Sequence, residues 1–381
     1  MGRGRMRINY RPPRLISSVV LLLVIILLGV IYETFSLEKK QALILGKQPV
    51  WEFKTDGRIL SCLPENESRV FVYTPNAIYL LDSSTGELQW KTNLGDDTGV
   101  YRKYTIEAGI KSNGKALILQ RDDGAVVSLS IQDGKILWKS VSTTKAPVYD
   151  IGIDSNLAYV TRRSASITAY DADSGERAWS ETVPDRTSLY IFPENDKVYL
   201  GTSYVLYAYD IRTGDVLLEH RLDGFMGKMA IDVNSIYITY LNGEYIFVSL
   251  DKESLERQWS IHRGLQSVSE VNAMLVDNGV IFVSGNRLLA LSAATGETLW
   301  VSDIKDIFGK PVVLNDFLII LGKTKVYILN KTDGSLIDNQ KIPGFLPLLS
   351  WMSYSQANPC ASESMIWIPG NSSLYAYDLT P

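Results

Sequence analysis

"ITAYDADSGERAW", from Ile167 to Trp179, fits two readings, and the choice between them sets the fold. Asp171, Asp173 and Gly175 resemble the start of an acidic calcium loop, and they equally suit the tip of a hairpin between two strands. A calcium loop of the helix-loop-helix kind wants acidic or amide residues at positions one, three and five, Gly at six and Glu at twelve. Counted from Asp171, Gly175 falls at five and Thr182 at twelve. The spacing does not match.

The hairpin reading gains from repetition. Related stretches are "IYLLDSSTGELQW" from Ile78, "VVSLSIQDGKILW" from Val126, "LYAYDIRTGDVLL" from Leu206 and "FVSLDKESLERQW" from Phe247. Three more are "LLALSAATGETLW" from Leu288, "VYILNKTDGSLID" from Val326 and "LYAYDLTP" from Leu374. Aligned on Asp171, the anchors are Asp82, Ser130, Asp210, Asp251, Ser292, Asn330 and Asp378, at spacings of 48, 41, 39, 41, 41, 38 and 48. Ser84 and Arg212 occupy the position of Asp173 in two relatives, so calcium would explain one turn and a hairpin explains all. Residues alternate apolar and polar before the turn, which predicts a strand with one buried face. Asp, Asn or Ser in front of the turn bonds backbone N–H groups two residues on, and Gly supplies a positive φ.

A period near 41 belongs to four-stranded propeller blades. Tryptophan recurs at a fixed distance after the turn, at Trp51, Trp90, Trp138, Trp179, Trp259 and Trp300, with Leu218 and Asp338 in the same register. A large aromatic there suits the gap between adjacent sheets. "PVWEFK" carries Trp51 without a hairpin before it, and the last hairpin start has no tryptophan after it. The predicted fold is therefore all-β, an eight-bladed β-propeller closed by an N-terminal strand that completes the last blade. Trp367 reads as a strand residue of that blade; Trp351 falls outside the register.

The repeated "AYDxxTGxxxW" resembles the pyrroloquinoline-quinone-type (PQQ-like) propeller repeat, over the chain from about residue 50 onward. That family holds quinoprotein dehydrogenases and also non-enzymatic propellers, among them a lipoprotein subunit of the outer-membrane β-barrel assembly machinery. The resemblance implies the fold and leaves the activity open, because function lives in sites placed on a fold. The quinoproteins characteristically use adjacent cysteines and a Glu, Asn and Asp calcium site. This chain has two cysteines, Cys62 and Cys360, and no adjacent pair. Two histidines, His220 and His262, leave little material for a metal cluster or a catalytic base. The expected cofactor is none, and the expected function is binding. A quinoprotein dehydrogenase or another small-molecule enzyme is the alternative.

The N-terminus predicts one transmembrane helix before the propeller. Residues 15–32 carry no charge, and Arg3, Arg5, Arg7, Arg11 and Arg14 precede them. At ~1.5 Å per residue that run approaches the thickness of a bilayer core. The arginines keep residues 1–14 cytoplasmic and send the rest across. Residues 33–48 then read as a tether and 49–381 as the propeller. A cleaved signal peptide has a shorter core and a small-x-small site, which "LLGVIYETFS" offers poorly. A lipoprotein needs a cysteine directly after the run, and none is there. A net charge of -4 and no later basic run argue against nucleic acid. The expected partners are the membrane, through the helix, and a protein of the cell envelope.

Candidate partner residues lie where the period stretches to 48. One such segment contains Tyr101, Arg102, Lys103 and Tyr104, and the other contains Phe345, Trp351 and Tyr354. These types are enriched at interface anchors, and long loops carry function more often than blade strands. Cys62 falls in the first blade and Cys360 in the last, which the ring makes neighbours. A disulfide and two buried thiols both remain open at this point.

Overall fold

The computed structural model describes residues 48–95, 109–121, 124–140, 148–163, 166–185, 188–263, 271–305, 307–322, 325–341 and 357–378. The tail and apolar run expected at 1–32, and the tether expected at 33–48 save its last residue, lie outside the described residues, and among those described no helix is long and apolar enough to cross a membrane.

The described residues form thirty-two strands, β1–β32 in chain order, in eight four-stranded antiparallel sheets. Blade 1 takes β2 (Ser61–Asn66), β3 (Arg69–Tyr73), β4 (Ala77–Asp82) and β5 (Leu88–Asn93). Blades 2 to 7 follow as β6–β9 (110–140), β10–β13 (148–182), β14–β17 (188–221), β18–β21 (225–263), β22–β25 (271–301) and β26–β29 (307–341). Blade 8 consists of β30 (Cys360–Ala361), β31 (Met365–Pro369), β32 (Ser373–Asp378) and, at its rim, β1 (Trp51–Lys54). The register of that last pairing runs from Trp51 opposite Ala376 to Lys54 opposite Ser373. First strands of neighbouring blades touch around the axis, and β2 meets β30 to close the ring.

The core is divided into eight apolar clusters, one in each seam between adjacent blades. This corrects one sequence expectation. The strand before each turn does not have a single buried face: in β4 every residue from Ala77 to Leu81 is buried. Such a strand is flanked by a blade on each side, so both its faces are covered. The polar residues of its apparent alternation, Ser128 and Ser249 in the equivalent strands, are themselves fully buried.

The hairpin tips are turns capped by their own side chains. Asp171 Oδ1 accepts the N–H of Asp173 at 3.1 Å and of Ser174 at 2.7 Å, and the Ser174 hydroxyl at 2.9 Å. The backbone N–H of Ser174 is the main cause that holds the Asp171 carboxyl below its ordinary pKa. Asp82, Asp210 and Asp251 repeat the arrangement with their own turn amides. Gly175 has φ +74°, and a Cβ there would stand 2.5 Å from Cγ of Trp138 in the preceding blade. The Trp138 indole N–H donates to the carbonyl of Ala172 in that same turn at 2.9 Å. The tryptophans thus reach across the seam and clamp the next blade's turn. Trp51, Trp90, Trp179, Trp259 and Trp300 do the same, to Ser83, Ile131, Ile211, Ala293 and Lys331. Trp367 lies wholly buried in β31.

The seam between blades 4 and 5 is built otherwise. Leu218, in β17 (Val216–Arg221), replaces the tryptophan, and the turn it faces carries Leu255 at φ 56° in place of glycine. Both pack into one cluster. The hydrogen bond that indole would supply comes from the Tyr199 hydroxyl, which donates to the Lys252 carbonyl at 3.1 Å. Lys252 itself is buried and pairs with Glu194 of blade 4 at 2.7 Å.

Between blades 8 and 1 the seam is tied at further points. Cys62 of β2 and Cys360 of β30 are joined by a disulfide with a Cα–Cα separation of 6.0 Å. The Glu67 carboxylate accepts the Ser362 hydroxyl at 2.8 Å, the Glu363 N–H at 2.9 Å and the Ser364 hydroxyl at 3.0 Å.

Candidate interaction surface

Antiparallel blades put the turns between first and second and between third and fourth strands on one face. The opposite face carries the turns between second and third strands and the connections from blade to blade. The two segments expected to hold partner residues are blade-to-blade connections, between β5 and β6 and between β29 and β30. Tyr101, Arg102, Lys103, Tyr104, Phe345, Trp351 and Tyr354 all lie outside the described residues.

The described part of that face carries an aromatic cluster at the seam of blades 4 and 5. Tyr204 tips the turn between β15 (Lys197–Thr202) and β16 (Val205–Asp210), and Phe225 begins β18 (Phe225–Ile231). Their rings stand perpendicular with centroids 5.8 Å apart, 50% and 48% exposed respectively. Leu241, 44% exposed, pairs directly opposite Phe225 in β19 (Ser235–Asn242). Edge-to-face packing is a favoured aromatic geometry, so the pair holds its shape without burial.

The backbone beneath the cluster is fixed. Asp185 Oδ2 accepts the Tyr204 N–H at 3.0 Å and the Thr202 hydroxyl at 2.6 Å. The Tyr204 carbonyl accepts the Leu222 N–H at 2.8 Å, and the Ser203 carbonyl accepts the Met226 N–H at 2.7 Å. Gly224 lets β18 pass close to its neighbour, since a Cβ there would lie 2.4 Å from the Leu241 carbonyl oxygen. The turn of one blade and the entry of the next are therefore laced into one rigid platform. Large aromatics on a preorganised base are the material of interface anchors.

Other exposed apolar residues are arranged differently. Ile136 with Leu137, Val216 with Leu217, and Leu336 with Ile337 sit on fourth strands around the rim, one pair to a blade. Each follows a turn beside a β-bulge and recurs with the repeat. Tyr204, Phe225 and Leu241 break the repeat and converge from separate segments. Sequence reasoning missed them because it sought departures in spacing, and the spacing here is an ordinary 39 and 41. The available signal was an aromatic between the second and third strand patterns of a repeat, where the other repeats carry none, as at Asn76, Gly243, Asn286 and Asn371.

A cavity of about 250 Å³ opens between β22 (Val271–Asp277), β26 (Ile307–Leu314) and the chain before β30, with Leu275, Pro311, Val312 and Pro359 in its walls. Its carboxylate, Asp277, is paired with Lys331 at 3.0 Å. The volume is at the low end for a small-molecule site.

The comparisons with known proteins place the chain in a family. The PQQ_2 profile, described as "Outer membrane protein assembly factor BamB", matches residues 45–188, 163–306 and 266–347. The chain belongs to this BamB-like repeat family. It is 24% identical to the outer membrane protein assembly factor BamB of Yersinia pestis over 301 residues, 70% of this chain and 73% of that protein. It is 29% identical to a lanthanide-dependent methanol dehydrogenase of Methylorubrum extorquens over 129 residues, 29% of this chain and 21% of the enzyme. That stretch is the length of about three repeats, so shared blades account for it. Among solved structures, the computationally designed Ika8 protein superimposes with a TM-score of 0.71 at 14% identity, covering 87% of this chain and all of that one. BamB of Moraxella catarrhalis does so with a TM-score of 0.66 at 16% identity, covering 87% and 99%. Both structural likenesses speak to fold.

Proposed function

We infer that this chain is a non-enzymatic binding subunit of a cell-envelope complex, held at the membrane by residues 15–32, with its propeller outside the cytoplasm. The reading rests on one observation above all: the exposed, perpendicular Tyr204–Phe225 pair on a backbone locked by Asp185. A pair of rings half open to water, yet rigid, gains most when a partner covers it. Membership in the BamB-like family supports a role in the assembly of outer-membrane proteins. The arginines before the apolar run support an inward N-terminus and an exported ring.

The test places a photo-crosslinking side chain at Tyr204 in the full-length chain, in native membranes, with Val233 on the opposite face as control. The expected outcome is one envelope protein captured from Tyr204 and absent from Val233, and lost on Phe225→Ser. Capture that is equal at both positions, or indifferent to Phe225, overturns the reading.

A further inference from the structure

Asparagine followed by glycine occurs three times, at Asn113–Gly114, Asn242–Gly243 and Asn278–Gly279. Such a step can modify itself, because a backbone nitrogen that no neighbouring Cβ shields can attack the side-chain amide carbon. The attack needs a side chain able to swing over the next nitrogen, and an N–H that nothing holds. The three steps differ in both respects. At Asn113 the side chain and the next amide are tied down. Its Oδ1 accepts the N–H of Lys115 at 3.0 Å and of Ala116 at 2.8 Å, and its Nδ2 donates to the Ser155 carbonyl at 3.2 Å. The Gly114 N–H donates to the Ser112 hydroxyl at 3.1 Å. Asn278 takes φ 46°, and its Nδ2 donates to both Asp277 oxygens, at 3.2 and 3.3 Å, which turns the amide back from Gly279.

Asn242 stands at the tip of the hairpin between β19 and β20 (Glu244–Asp251). These strands have eight residues each, against five or six in the second and third strands of the other blades. Asn242 and Gly243 are both exposed. Among the described residues, neither the Asn242 amide group nor the Gly243 N–H has a hydrogen-bond partner. Nothing lies within 4 Å of the place a Cβ on Gly243 would occupy.

We propose that Asn242 is a site of spontaneous deamidation, and that its products alter the platform of Tyr204, Phe225 and Leu241. The Gly243 nitrogen bonds to Cγ of Asn242 and gives its proton to water. The Cγ–Nδ2 bond breaks, and Nδ2 takes up a proton and leaves as ammonia. Water then opens the succinimide at either carbonyl. One opening leaves aspartate at 242; the other leaves isoaspartate, with the backbone rerouted through the former side chain and one methylene longer. One water is consumed and one ammonia released, and no electrons are exchanged. Both products place a new carboxylate one residue from Leu241 and two from Glu244. Isoaspartate also lengthens the chain at the tip that holds Leu241 opposite Phe225. A charge beside an apolar anchor, and a base that is no longer fixed, both weaken a partner's seat. That consequence rests on the platform being the partner surface; the modification itself does not.

The experiment ages the purified full-length chain at mildly alkaline pH, folded and in denaturant, and follows each Asn-Gly step by peptide mapping with mass spectrometry. In the folded chain Asn242 is expected to convert at least about tenfold faster than Asn113 or Asn278, whose hydrogen bonds must first be released. In denaturant the three rates are expected to converge. Gly243→Ala is expected to slow conversion at Asn242 and at neither other step. Equal rates in the folded chain, or Asn242 spared there, overturns the proposal. Fresh and aged chains are then compared for capture from the crosslinker at Tyr204. Capture is expected to fall with the fraction of Asn242 modified, and to hold constant on ageing of Gly243→Ala. Undiminished capture by a modified chain overturns the link to the platform. Absence of capture from the fresh chain counts against the platform as a partner surface, and the measured rates then decide the modification site by themselves.

Discussion

Leu218 and Leu255 share one cluster at the seam of blades 4 and 5, in the two positions that a tryptophan and a glycine hold at six other seams. The pairing is coupled by volume. An indole needs a turn residue without a side chain, and a leucine in its place leaves room for a second leucine. That room is filled even though Leu255 must adopt φ 56°, a conformation that costs on the order of 1 kcal/mol for a residue with a Cβ. Burial of the Leu255 side chain, about 1.5–3 kcal/mol, outweighs the strain.

Substitution at this seam is accordingly expected to be non-additive. Leu218→Trp alone drives the ring into Leu255 and destabilises by about 1–3 kcal/mol, and Leu255→Gly alone leaves a cavity of similar cost. The double variant restores the arrangement of the other seams and is predicted to recover at least about 1 kcal/mol relative to the sum. Denaturant titration of the four proteins measures it. Strict additivity would show that the two side chains are not coupled.

Trp179→Ala removes a buried indole and its bond to the Ile211 carbonyl, so a loss of about 3–5 kcal/mol is expected. A melting transition that hardly moves would show that the seam tolerates the void.

Acid should loosen the closure of the ring before it loosens the strands. Glu67 has its pKa lowered, chiefly by the Glu363 N–H and further by the Ser362 and Ser364 hydroxyls across the seam. A carboxyl with a depressed folded pKa contributes stability above its unfolded value, here 4.5, and loses it as pH falls through the folded value. The turn carboxylates Asp82, Asp171 and Asp251 act in the same direction from a reference of 3.8. Melting curves below about pH 4.5 should fall more steeply for the native protein than for Glu67→Gln, which keeps an acceptor oxygen without the charge. Parallel curves would remove Glu67 from the account.

Tyr204→Ser with Phe225→Ser should leave stability within about 1 kcal/mol, because both rings are half open to solvent. Partner capture should fall at least about tenfold, the scale of losing an interface anchor. A fall in stability matching the fall in capture would recast the pair as core.

Much of this architecture was legible because it repeats. The period near 41, the turn glycines and the recurring tryptophans specify blades, number and closure, since each packing position is stated several times over. What repetition conceals is direction. Nothing in "SGERAW" says that Trp179 docks on the following blade's Ile211 turn, because that depends on how sheets stack around the axis. The burial of Ser128 and Ser249 was hidden for a related reason, as alternation reads as one wet face until a second neighbour is present. Tyr204 and Phe225 were invisible to a search by spacing, and their contact crosses two blades. Leu255 was visible as a missing glycine, but its cause, Leu218, lies 37 residues earlier and gains meaning when the seam is assembled.

The tryptophan contacts all run the same way around the ring, with six of the eight blades gripping their successors. These six seams are thus head-to-tail, like the interface of a cyclic oligomer whose subunits happen to share one chain. Such an interface by itself sets no count, since a blade that grips a following turn and offers a turn of its own can be added indefinitely. The number eight is enforced where the last grip meets the first turn, at Trp51 and Gly86, and the propeller is in that sense a filament that has been told where to stop.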